Sequence, residues 1–328
     1  MRLDWIKKSL IFNPVGRESW MMHYSQVPTV LVLKNILRIY FTTRPLPDKD
    51  NNFVSHISFI DVDKNNPARV LYVHNKPLLE LGGPGSFDEF GIHPTSILKK
   101  GNEVYLYYQG WTRCATVPYT TSLGLAISRD NGKTFKKYAK GPLFSRNPNE
   151  PFLENGFYVY RENNKWHMWY SSCSEWRMVN DKYEPVYNIV YAYSKNGIDW
   201  TRNSIKCLKN KSRYEVNNRP TVIKINKLYH MWYCYRGIDG FRNGNNSYRI
   251  GYAFSKDLKT WTRNDRQAGI TVSKDGWDSE MIAYPYVIKN GDKYQMFYNG
   301  NFFGKYGFGF AELEYNTIKK NRNHKVTV

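Results

Sequence analysis

The sequence predicts an all-β fold, a five-bladed β-propeller with four-stranded antiparallel blades. Three observations carry this prediction. A unit of about 65 residues is written five times, the chain is rich in aromatic residues, and turn signals recur at fixed places inside the units. Aligned on an apolar-Pro-x-apolar core, the first strands carry Pro28, Pro94, Pro220 and Pro285, with Gly156 in the third unit, at spacings of 66, 62, 64 and 65. A fixed period of this length marks a repeat architecture, and four short strands per period describe a propeller blade.

Each element of the unit has its own signature. The second strands are Leu37-Arg-Ile-Tyr-Phe41, Val104-Tyr-Leu-Tyr-Tyr108, Trp166-His-Met-Trp-Tyr170, Tyr229-His-Met-Trp-Tyr233 and Tyr294-Gln-Met-Phe-Tyr298. They mix aromatic and apolar residues, as buried strands do. The third strands, such as Leu123-Gly-Leu-Ala-Ile-Ser128 and Ile250-Gly-Tyr-Ala-Phe-Ser255, carry small residues that would let neighbouring sheets approach. Turns such as Asp130-Asn-Gly and Lys195-Asn-Gly announce the fourth strand, Asn-Gly being a strong hairpin signal. The last unit lacks a recognisable fourth strand, so residues 1–25 are candidates to supply it and close the ring. Residues 1–328 then form one domain, with a flexible basic tail over 316–328.

Composition narrows the chemistry. Aromatic residues make up 16% of the chain, with 27 Tyr and 10 Trp, which argues against disorder. The formal net charge of +20 attracts anions of several kinds. No nucleic-acid-binding module accompanies it, so nucleic acid is not the expected partner. The four cysteines, Cys114, Cys173, Cys207 and Cys234, form no Cys-x-x-Cys pair and read as reduced thiols. There is neither a signal-peptide pattern nor an apolar run of membrane-spanning length. The expectation is a cytoplasmic protein without a membrane span.

In a propeller the first strands line the central channel, and the residues at their starts meet at one mouth. Those positions hold Gln26, His93, Arg219 and Tyr284, with Asp88, Glu150, Glu215, Asp278 and Glu280 leading in. The ends of the second strands add Arg44, Trp111, Arg236 and Asn299. Paired carboxylates can serve as acid and base, and the arginines suit a phosphate or carboxylate. Asp88, Glu150, Glu215 and Glu280 are the catalytic candidates; Gln26, Arg44, His93, Trp111, Arg219, Arg236, Asp278, Tyr284 and Asn299 are the substrate-binding ones. Structural readings stand beside these: Asp88 can bond turn amides, Glu215 can pair with Arg219, and Glu150 and Glu184 precede proline, where extended backbone is expected anyway. No short-range metal spacing occurs, though a calcium ion on the axis stays open. No cofactor is expected.

The chain resembles the five-bladed glycosidase-type propellers, glycoside hydrolase families 32, 43, 62, 68 and 130. The likeness rests on the repeats, on Trp166-His-Met-Trp-Tyr170 and on Ser194-Lys-Asn-Gly-Ile-Asp-Trp200. Glu150-Pro, Glu215 with Arg219-Pro, and Trp277-Asp-Ser-Glu-Met281 look like signatures of uncharacterised family 43-like proteins from bacterial surface-polysaccharide clusters. By position, the resemblance implies Asp88 as the tuning or basic carboxylate and Glu215 as the acid. The first blade departs from it, offering Gln26 where family 43 has its basic Asp. Either Glu280 or Glu150 replaces that base, or the reaction is not hydrolysis; family 130-like propellers also run phosphorolysis or sugar transfer.

The expected function is therefore a carbohydrate-active, glycosidase-like enzyme that cleaves or transfers a glycosyl unit. A glycosyltransferase of surface-polysaccharide biosynthesis using a nucleotide sugar is the second reading. A non-catalytic glycan-binding propeller is the third. In each, the partner is a sugar or nucleotide sugar, with an anionic group to match the arginines.

Overall fold

The computed structural model describes residues 3–242 and 244–314; the tail over 316–328 lies outside the described residues. Five four-stranded antiparallel sheets form the blades. The first strand of the chain, β1 (Trp5–Phe12), belongs to the last blade. The first blade is β2 (His23–Val32), β3 (Ile36–Arg44), β4 (His56–Asp63) and β5 (Val70–Val73), and the second is β6 (Ile92–Lys100), β7 (Glu103–Arg113), β8 (Tyr119–Ser128) and β9 (Lys136–Lys137). The third comprises β10 (Glu154–Glu162), β11 (Lys165–Val179), β12 (Lys182–Ser194) and β13 (Trp200–Lys206). The fourth has β14 (Val216–Ile225), β15 (Leu228–Arg236), β16 (Arg249–Ser255) and β17 (Thr262–Arg263). In the fifth, β18 (Ala283–Asn290), β19 (Lys293–Asn299) and β20 (Phe308–Leu313) are completed by β1, which pairs antiparallel with β20. The first and last strands thus share one sheet.

Aromatic second strands hold the blades to one another. The Tyr40 hydroxyl donates to the Gly132 carbonyl in the next blade's turn at 2.6 Å, and Tyr107 does the same to Gly197 at 2.7 Å. The turn can offer that carbonyl because Asn131 and Gly132 adopt left-handed backbone, φ 58° and 80°. Trp169 packs edge-on against Trp261 of the following blade, centroids 5.8 Å apart. Buried aromatics with a bonded polar tip suit such seams.

The small residues of the third strands have a different use from the one expected. A Cβ on Gly124 would meet the Tyr108 ring at 2.4 Å, and one on Gly251 would meet Tyr233 at 2.6 Å. These glycines make room for a tyrosine of their own blade, not for a neighbouring sheet.

That tyrosine anchors the lead-in carboxylate. In the second blade Tyr108 donates to Asp88 at 3.2 Å and Lys137, on the outermost strand, donates at 2.6 Å. In the third blade Tyr170 donates to Glu150 at 2.9 Å, and Arg202 closes the set. In the fifth, Tyr298 and Lys7 bond Asp278 at 2.9 and 2.7 Å. The fourth blade divides the role: Arg263 binds Glu215 at 2.6 Å and Asp265 at 2.8 Å, while Tyr233 donates to Asp265 at 2.6 Å. The cations occupy one register position, paired with Ala126, Ala192, Ala253 and Ala311 of the third strands. Lys137, Arg202 and Arg263 stand on β9, β13 and β17, whereas Lys7 stands on β1. The first blade has Phe41 where the others have tyrosine, and Val73 where they have the cation. With Met21 before its inner strand, these residues join one apolar cluster.

Candidate functional site

Each inner strand enters its sheet through an irregular step in its pairing with the second strand. In four blades a residue there has left-handed backbone: Val27 (φ 56°), Gly156 (58°), Arg219 (52°) and Tyr284 (57°). A bulge of this kind re-aims a side chain, and for a β-branched valine it is strained. Side-chain acceptors hold the bulges. Asn299 Oδ1 accepts from Val27 N at 2.7 Å, Gln109 Oε1 from Gly156 N at 3.0 Å, and Cys234 Sγ from Tyr284 N at 2.8 Å. In the fourth blade Asn218 Oδ1 accepts from Arg219 N at 2.7 Å and from Ser171 Oγ at 2.9 Å. The residues that set these bulges therefore come largely from the preceding blade.

The bulges surround a cavity of about 500 Å³ at the channel mouth. Its lining holds four arginines, Arg44, Arg219, Arg236 and Arg242, and Lys305, against a single carboxylate, Glu184. Arg242 Nη2 donates to Glu184 at 2.7 Å. The other three arginines have only neutral acceptors among the described residues. Arg219 bonds the Pro94 carbonyl at 2.9 Å, Arg44 bonds Ser55 Oγ at 3.2 Å, and Arg236 bonds the Gly237 carbonyl at 2.8 Å. Aromatic faces carry part of their charge: Arg236 lies 3.6 Å from the Phe241 ring centre and Arg44 4.8 Å from that of Tyr24. Burial lowers Arg219 to about 10 and also lowers Arg44. Burial first, then the charges of Arg44 and Arg219, hold His93 well below the usual imidazole range.

Several polar atoms in the lining have no protein partner: Gln26 Oε1, His93 Nε2, Trp111 Nε1 and Arg236 Nε. Gln26, His93 and Arg236 are each more than nine-tenths buried. Buried polar groups left open inside a cavity are ready to bond a ligand. Trp111 packs against His93 at 5.0 Å and Tyr119 at 4.5 Å, giving an aromatic wall beside them.

Gln26, Arg44, His93, Trp111, Arg219, Arg236 and Tyr284, all read as ligand-binding from the sequence, do line the cavity. The carboxylate set does not. Asp88, Glu150, Glu215 and Asp278 are tethered to the outer strands of their own blades, as described above, and Glu280 is exposed, its backbone carbonyl accepting from Arg249 at 2.8 Å. A lead-in residue can hang over the axis or over its own sheet, and a tyrosine and a cation on the sheet draw it outward. Asn299 also stays out of the lining; it is fully buried and clamps Val27, Ser25 and Gly307. Glu184, Arg242 and Lys305 went unread as binding residues. Glu184 lies near the start of β12, and Arg242 and Lys305 follow β15 and β19, outside the repeated register. Among the described residues no group of three His, Cys, Asp or Glu could hold a metal, and no helix is long and apolar enough to cross a membrane.

The blades define a five-bladed β-propeller, the fold of solved glycoside hydrolases of families 43, 32 and 130. A structure described as a glycoside hydrolase shares the fold with TM-score 0.72 at 16% identity, covering 95% of this chain and 92% of its own. A thermostable family-43 glycoside hydrolase gives 0.64 at 16%, covering 89% of each chain, and a beta-1,2-mannobiose phosphorylase from Listeria innocua gives 0.67 at 12%, covering 97% and 98%. No protein-family model matches the chain. Over 314 residues it is 33% identical to the uncharacterized proteins Rv1502 and MT1551 of two Mycobacterium tuberculosis strains, covering 95% of this chain and all of theirs. The chain belongs to the family of these mycobacterial proteins.

Proposed function

We propose that this protein is a carbohydrate-active enzyme that transfers a glycosyl unit between a phosphate-linked sugar and an acceptor hydroxyl. One observation carries the reading: in the pocket five cations face one carboxylate. Hydrolysis by paired carboxylates needs two of them flanking the bond, and the lining supplies only Glu184. A phosphate-linked donor needs fewer protein acids, because its leaving group departs as an anion. In this scheme the acceptor oxygen forms its bond to the anomeric carbon as the bond from that carbon to the phosphate oxygen breaks. Glu184 takes the acceptor proton, and the phosphate keeps the electron pair beside Arg44, Arg219 and Arg236. Guanidiniums placed where negative charge develops favour such a step. The aromatic wall at Trp111 and Tyr119 suits a sugar face. Sugar 1-phosphates and nucleotide sugars both meet these demands. An enzyme of surface-glycan assembly, the setting implied by the sequence resemblance, would use either.

The test compares the wild type with Glu184→Gln, using panels of sugar 1-phosphates and nucleotide sugars with acceptor glycans. The expected result is thermal stabilisation of both proteins by one donor class, with transfer by the wild type alone. Phosphate-independent hydrolysis of neutral glycosides by the wild type would overturn the reading. Binding without turnover in the wild type would leave a glycan-binding propeller instead.

A further inference from the structure

The third blade overreaches its neighbours. Past the tether tyrosine, β7 runs from Tyr108 to Arg113, whereas β11 runs from Tyr170 to Val179. Four extra residues add about 13 Å of strand. Asn180 and Asp181 close the hairpin with left-handed backbone, φ 48° and 60°, the geometry of a tight two-residue turn. The hairpin register sets Arg177 opposite Glu184, so both project from one face. Glu184 lines the pocket and holds Arg242. At the other end of this row Arg177 lies 4.1 Å from the Tyr214 ring centre, and Arg213 lies 5.2 Å from the same centre. A row of guanidiniums thus leaves the pocket and ends at an aromatic ring with arginines around it.

Its outer charges are little compensated. Arg177 meets Glu175 at 3.6 Å, with both side chains more than a third exposed, and Glu184 opposite it is already paired with Arg242 at 2.7 Å. Among the described residues Arg213 has no carboxylate partner, whereas nearby Arg263 is bound by Glu215 and Asp265. Repeated positive charge beside an aromatic face suits a chain that carries negative charge on successive sugars. We propose that this row is a track for an anionic glycan chain whose reacting end occupies the pocket. The proposal rests on the reading above for that end alone.

Heparin-derived disaccharide and octasaccharide serve as probes, titrated at fixed ionic strength into the full chain. The octasaccharide should bind about ten-fold more tightly, the sum of two modest surface contacts. Arg177→Ala/Arg213→Ala should remove that gain and leave the disaccharide affinity unchanged. Arg219→Ala should weaken both ligands. Both track positions are surface sites, and an unchanged circular dichroism melt confirms folding. Equal affinity for the two lengths in the wild type, or a gain that survives in the double variant, overturns the track. A length gain that depends on Arg177 and Arg213, with no binding of the disaccharide, keeps the track and rejects the pocket reading. If the double variant loses binding to phosphatidylglycerol vesicles but keeps the octasaccharide gain, the row faces a membrane and the proposal fails.

Discussion

Replacing Asp88 with Asn separates a blade tether from a catalytic acid. Asp88 is 1% exposed, and its partners are the buried Tyr108 hydroxyl, the Ser86 hydroxyl at 3.3 Å and a Lys137 side chain 23% exposed. Breaking a buried ion pair costs about 3–5 kcal/mol, and solvent reaching Lys137 reduces that to about 2–3 kcal/mol. An unfolding entropy of about 2 cal/mol/K per residue over 328 residues gives about 0.7 kcal/mol per degree, so Tm should fall by about 3–4 °C. The first blade supplies the control. Copying its Met21, Phe41 and Val73 as Asp88→Met/Tyr108→Phe/Lys137→Val should recover most of the loss, since apolar replacement of a whole buried pair is often neutral. Circular dichroism melts and glycosyl-transfer assays of all three proteins check this. An unchanged Tm with abolished transfer in Asp88→Asn would put that carboxylate at the reacting atoms and refute the tether.

Other measurements bear on the remaining groups. Burial raises Glu154 from 4.5 to about 7, against Arg202 and with Glu150 adding to the rise, and its Oε2 has no partner. The folded state therefore holds a proton that the unfolded chain releases, and stability falls as pH rises from about 4.5 to 7. Glu154→Gln should melt higher than wild type above that window and alike below it; equal melts throughout would show that Glu154 titrates normally. A bound dianion should offset the repulsion of Arg44 and Arg219 on His93 and raise its pKa. Calorimetry of a phosphate-bearing ligand in two buffers should then show proton uptake, larger at about pH 6 than at about pH 8, and absent in His93→Asn. Asn299→Ala strips Val27 N of its acceptor at a strained bulge. It should cost about 1–3 kcal/mol of stability and weaken ligand binding although Asn299 lies outside the lining; unaltered affinity would mean the bulge holds itself.

The fold was legible because each blade repeats its own sentence. Pro28, Pro94, Pro220 and Pro285 mark the inner strands, and the aromatic second strands follow at a fixed distance. Half of the site was legible for the same reason: Gln26, His93, Arg219 and Tyr284 sit where the repeat turns inward. The carboxylates misled because position along the chain does not tell which way a lead-in residue leans. A clue was present inside the chain. Units whose second strand ends in tyrosine also carry an acid before the inner strand and a cation on the outermost strand, whereas the unit with Phe41 has Met21 and Val73. Charge and hydroxyl thus come together or not at all, as partners do. Glu184 gave no such signal, since its place depends on a hairpin longer than the repeat.

The strand that completes the fifth sheet is synthesised ahead of every other strand of the ring. Trp5–Phe12 leaves the ribosome roughly three hundred residues ahead of β20, the partner against which it lies. Until then it is an unpaired edge, open to association with other chains. Lys7 likewise waits for Asp278, and Val27 for Asn299. The last blade therefore finishes the pocket as well as the ring, so a polypeptide halted before Phe308 would carry every lining residue without the closed ring that gathers them.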